Sequence, residues 1–106
     1  MGPNYYGSYN SLKNNIKIDH YITLMLETII NVINPFFAAK QWQINEKPNT
    51  IFYSNKKDEF VITLLPNTGG IEVIVPLNEV RYKNTFYAVN TVVDYVKMHL
   101  NYYQDR

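Results

Sequence analysis

Residues 59–77 read EFVITLLPNTGGIEVIVPL, and this stretch decides the fold class. Side chains on a strand alternate between two faces, so Phe60, Ile62 and Leu64 project one way and Val61, Thr63 and Leu65 the other. After Pro66-Asn67-Thr68-Gly69-Gly70 the alternation resumes, with Ile71, Val73 and Val75 opposed to Glu72 and Ile74. Two apolar runs joined by a turn rich in Pro, Asn and Gly form an antiparallel hairpin, since those residues supply the restricted or positive φ that a reversal needs. One face of this hairpin belongs to a core. The other carries Val61, Leu65 and Ile74, which is more apolar than a solvated face requires.

Upstream, Thr50–Ser54 is a further strand closed by the polar loop 55–58, and Trp42 and Ile44 alternate with Gln41, Gln43 and Asn45 in a strand before it. Lys47-Pro48-Asn49 forms the turn between those two. Downstream, Pro76 marks a strand end or a sheet edge, because proline has no N–H for the ladder. Val80 to Lys83 is a short extended piece of uncertain standing. The sheet is therefore a meander of three to four strands.

A helix is expected on either side of it. Asp19 can cap a helix from about His20 to Ile33, in which Thr23, Glu27 and Asn31 form a narrow polar stripe. Ile22, Met25, Leu26, Ile29, Ile30, Val32 and Ile33 occupy most of the remaining circumference, so this helix has to be covered on more than one side. Pro35 is expected to end it. The last helix is expected from about Thr85 to Tyr103, with Phe86, Val89, Val93, Val96, Leu100 and Tyr103 inward and Asn90, Asp94, Lys97 and Asn101 outward. The fold class is α+β: an N-terminal helix, an antiparallel meander and a C-terminal helix. An extended arm, residues 1–15, precedes the single domain, residues 16–106. The two helices either flank the sheet or share one face and leave the other to a partner.

At 106 residues the chain is the size of one domain and can bury about two thirds of its unfolded surface without a staple. It has no Cys, which removes disulfides and thiol nucleophiles. A net charge of +1 gives no long-range pull toward nucleic acid or an anionic membrane. Asn, Ile, Tyr and Lys together supply 43 of the residues while Ala appears three times, the pattern of an AT-rich genome. Residues 1–10 have neither a basic nor an apolar signal region, so the chain is expected inside a cell or a viral particle. The most apolar stretch, Tyr21 to Phe37, is too short and too polar to cross a bilayer.

Catalytic chemistry has little to work with. Ser8, Ser11 and Ser54 lie in an arm or loop without a nucleophile motif, and His20 and His99 have no second histidine nearby to seed a zinc site. His99 sits one turn from Tyr95 and Tyr103 and reads as structural. The acidic residues show no metal-loop spacing, so no cofactor and no metal are expected. Lys56, Lys57, Arg81, Tyr82 and Lys83 form the best candidate patch for a single-stranded nucleic acid, cations with a ring that could stack on a base. The order helix, three strands, helix is shared with double-stranded-RNA-binding domains. The lysine-rich helix start that grips phosphates there is here Asn84-Thr85-Phe86-Tyr87, and no residue motif ties the chain to a family. The favoured expectation is a non-enzymatic interaction module that self-associates or serves as a small subunit of a larger assembly, such as a virus or phage particle. Protein is its expected partner, through Tyr5, Tyr6 and Tyr9 of the arm and Val61, Leu65 and Ile74 of the sheet. Nucleic acid is the second expectation.

Overall fold

The computed structural model describes residues 24–104. Helix α1 occupies residues 24–39 and is followed by β1 (Gln43–Lys47), β2 (Thr50–Ser54), β3 (Glu59–Leu65), β4 (Gly70–Leu77), β5 (Val80–Phe86) and α2 (Val89–Gln104). The strands form one antiparallel sheet in sequence order, β1-β2-β3-β4-β5. The α+β class and the meander are as the sequence implies, with one strand more than expected. The arm, the Asp19 cap and the helix start at His20 lie outside the described residues.

Register follows from the hydrophobic pattern. Ile51 lies opposite Ile62, Tyr53 opposite Phe60, Ile62 opposite Val73 and Leu64 opposite Ile71, so one face presents an unbroken apolar surface. Both helices pack on that face. Leu26, Ile29, Ile33 and Phe37 of α1 and Val92, Val96 and Leu100 of α2 complete a core in which nearly every side chain is fully buried. The inward face of α2 is thus centred on Val92 rather than on Val93, which is half-buried.

Three expectations need correction. Helix α1 does not stop at Pro35 but runs on to residue 39. A proline inside a helix loses one backbone hydrogen bond and strains a turn, at about 3 kcal/mol. Here the added turn is held by Phe37, which is fully buried. Its ring stacks on Tyr53 at 4.0 Å and meets Trp42 and Phe60 edge-on at 5.3 and 5.1 Å. Burial of an aromatic ring with such contacts is of the same size as the proline penalty, so packing decides. The turn after it is closed by Lys40 and Trp42 N–H groups donating to the Phe37 carbonyl, with Gln41 at φ 64°.

The extended piece at Val80 is a full strand of seven residues, paired along its length with β4. Its two-residue turn, Asn78-Glu79, has positive φ at both positions (53° and 68°), the twist that matches a hairpin. Consequently Thr85 and Phe86 belong to β5, and α2 begins at Val89 rather than Thr85. Pro76, as the sequence implies, marks a strand end: it is the last residue but one of β4. Its ladder with β3 stops at the pair Val61–Ile74, two residues short of the proline, while Pro76 still lies opposite Arg81 on β5. The missing N–H would point toward β3, so the ring costs β5 nothing.

Candidate interaction site

The second sheet face is the candidate site. No described helix covers it. Alternation places Phe52, Val61 and Ile74 in one row across β2, β3 and β4, because Phe52 pairs with Val61 and Val61 with Ile74. Leu65 stands at the end of β3 on the same face, opposite Gly70. The structure thus brings Val61 and Ile74 together, while Leu65 shares their face, as the alternation implies, beyond the Thr63–Glu72 pair. Sequence reading missed Phe52, whose place in the row follows only from the β2–β3 register. Exposure is less than expected: Val61 is only 6% exposed between its cross-strand neighbours, and Leu65, Ile74 and Phe52 are half-buried.

Charged side chains border this apolar row. Arg81 meets Glu59 at 3.6 Å and Lys83 meets Glu72 at 4.0 Å, each pair joining strands on the same face. Such exposed pairs contribute at most about 1 kcal/mol, but they fix where the charges lie. Gly70 sits close beneath β5: a Cβ there would meet Thr85 Cγ2 at 3.0 Å and the Tyr87 ring at 3.3 Å.

The candidate nucleic-acid residues are divided by the fold. Lys56, Lys57 and Arg81 line one open groove between the 55–58 loop and the 78–79 turn. Asp58, Glu59 and Glu79 line it too, so three cations face three carboxylates. The loop itself is held by Asn55, whose side-chain oxygen accepts from the N–H groups of Lys57 and Asp58 at 2.8 and 2.7 Å. Lys83 lies farther along with Arg81, engaged with Glu72, whereas Tyr82 points to the opposite, helix-bearing face. A ring and two cations adjacent in sequence therefore do not form one surface. Tyr5, Tyr6 and Tyr9 lie outside the described residues.

Elsewhere, Tyr53 and His99 engage neighbouring side chains. The Tyr53 hydroxyl donates to Asn34 Oδ1 at 2.5 Å, and burial, then the nearby Glu46 charge, raises its pKa well above the usual phenol value. His99 meets the Tyr95 ring edge at 4.5 Å, and partial burial lowers its pKa, which favours the neutral ring. Among the described residues no group of His, Asp and Glu could hold a metal ion, and no helix is long and apolar enough to cross a membrane.

Comparison of the chain with protein-family models, with curated proteins and with solved structures finds no match.

Proposed function

We propose that this domain is a non-enzymatic interaction module that self-associates or serves as a small subunit of a larger assembly. One observation carries the reading: both helices sit on one face of the sheet, and the other face keeps an apolar row, Phe52–Val61–Ile74, with ion pairs at its border and Leu65 farther along β3 on the same face. An apolar centre with a polar rim is the anatomy of a protein contact. The even charge balance of the Lys56–Lys57–Arg81 groove offers phosphates no surplus cation, and this supports protein over nucleic acid as the partner we propose.

The test is sedimentation of the full chain. The expected result is a species heavier than the 12.5 kDa chain at roughly 100 μM, within reach of modest interface affinities, which shifts toward 12.5 kDa in Leu65→Lys while the circular dichroism spectrum is kept. An oligomer indifferent to Leu65→Lys would remove the sheet face from the reading. A chain that stays at 12.5 kDa would remove self-association.

A further inference from the structure

Large apolar and aromatic side chains left exposed are not spread evenly over the described residues. Five of the eight belong to β5, to the residue after it and to α2: Val80 and Tyr82 on the helix-bearing face of β5, Tyr87 just after it on the other face, and Met98 and Tyr102 on α2. Tyr82 and Val80 point to the helix-bearing face, where their neighbours are core, yet they are 48% and 51% exposed. Strand β5 is also the end of the sheet, seven residues long, and no described strand pairs with its outer edge. In a two-residue hairpin the flanking pair, Leu77 and Val80, exchanges its hydrogen bonds, and alternation then turns the N–H and C=O groups of Arg81, Lys83 and Thr85 outward. An open edge beside an aromatic patch calls for a strand that brings its own apolar side chains.

We propose that β5 is a homodimer seam, in which two copies pair their β5 strands antiparallel about a two-fold axis at Asn84 and join their sheets into one of ten strands. The inference rests on the reading that this domain self-associates, and it names a different surface and the partner, a second copy.

Charge narrows the register, and the aromatic pairs complete the choice. An axis at Lys83 would set Lys83 against itself, and an axis at Tyr82 would set Arg81 against Lys83; like charges directly opposite are destabilising. An axis at Asn84 opposes Lys83 to the second copy's Thr85 and Tyr82 to its Phe86. It also makes Lys83–Thr85 the hydrogen-bonded pair that the outward groups require. Tyr82 of each copy then meets the Phe86–Tyr95 ring pair of the other, whose centroids are 4.9 Å apart. Arg81 comes opposite the second copy's Tyr87, which is 71% exposed over Gly70 on the same face, an arrangement suited to a cation–π contact. Edge lysines normally discourage strand pairing, but Arg81 and Lys83 already face Glu59 and Glu72 of their own sheet. A two-fold perpendicular to the sheet keeps both helical layers on one side, so the α2 helices, which pack on β4 and β5, share that side of the joined sheet.

Thr85 provides a test in which dimer and monomer respond in opposite directions. Within one chain Thr85 lies opposite Glu72, so lysine at 85 gains a partner and glutamate a repulsion. Across the seam Thr85→Lys meets Lys83 twice and Thr85→Glu complements it twice. Sedimentation equilibrium of the full chain is expected to give twice 12.5 kDa, with Thr85→Lys weakening dimerisation about tenfold and Thr85→Glu strengthening it, while urea melts at low concentration rank the two the other way. Tyr82→Ala is expected to weaken the dimer as well. An oligomer unchanged in both Thr85→Lys and Tyr82→Ala but lost in Leu65→Lys overturns the seam and leaves the sheet-face reading standing. Loss in Thr85→Lys with none in Leu65→Lys supports the seam and removes the sheet face. A monomeric chain overturns both.

Discussion

Tyr53 shows how one side chain ties the layers together. Its ring is stacked on Phe37 of α1, its Cα partner on β3 is Phe60, and its hydroxyl reaches back to Asn34. Burial holds the phenol neutral, so it stays a donor at ordinary pH. Tyr53→Phe keeps the stack and removes the donor, leaving the half-buried Asn34 without that bond. The expected loss is about 1 kcal/mol, read as a lower urea midpoint at unchanged slope. A variant as stable as the parent would show that Asn34 is satisfied by solvent. At this scale the sequence is partly legible. Phe60, Ile62, Leu64, Ile71, Val73 and Val75 follow from strict alternation, and all are buried. Tyr53 does not, because a chain with ten tyrosines gives no local reason to pick the one that is fully buried among the described residues.

Between elements, the reading failed where local chemistry and packing disagree. The hairpin β4–β5 needs positive φ at two positions, and the residues that advertise this are Asn-Gly or Asp-Gly. Here the pair is Asn78-Glu79, which advertises no hairpin, and the apolar spacing of Phe86 and Val89 merges the end of β5 with the helix that follows. The same disagreement carries α1 through Pro35, where the buried Phe37 outweighs the lost hydrogen bond. A glutamate at φ 68° is a strained choice. Glu79→Gly relieves a left-handed penalty of about 1–2 kcal/mol and returns part of it as unfolded-chain entropy. The net expectation is a gain of about 0.5–1 kcal/mol in a thermal or urea melt. A loss of stability would mean that the Glu79 side chain makes a contribution the turn geometry does not explain. The candidate site divides along the same line. Alternation alone groups Val61, Leu65 and Ile74, but adjacency in sequence wrongly suggests that Tyr82 acts with Arg81 and Lys83, since neighbours on a strand face opposite ways.

At the scale of the whole molecule, the described residues form a sheet with both helices on one side and two edges of unequal character. β3 and β4 have neighbours on both sides and the most buried side chains, so their amides should exchange slowest with solvent. β1 and β5 are the ends of the described sheet. β1 is short, carries Gln43, Asn45, Glu46 and Lys47, and offers little apolar surface to a partner. β5 is longer and carries the exposed Val80 and Tyr82, with the exposed Tyr87 just after it. Hydrogen exchange measured at two protein concentrations separates these edges in one experiment. In the dilute chain the outward amides of both strands, Arg81, Lys83 and Thr85 on β5 and Ile44 and Glu46 on β1, are expected to exchange freely. At a concentration where sedimentation shows a dimer, the β5 set alone should slow, because pairing about Asn84 gives those N–H groups carbonyl partners. Slowing of the β1 set instead would move the seam to the other edge. Equal exchange at both concentrations, with the mass doubled, would mean that the copies meet through side chains and leave both strand edges open.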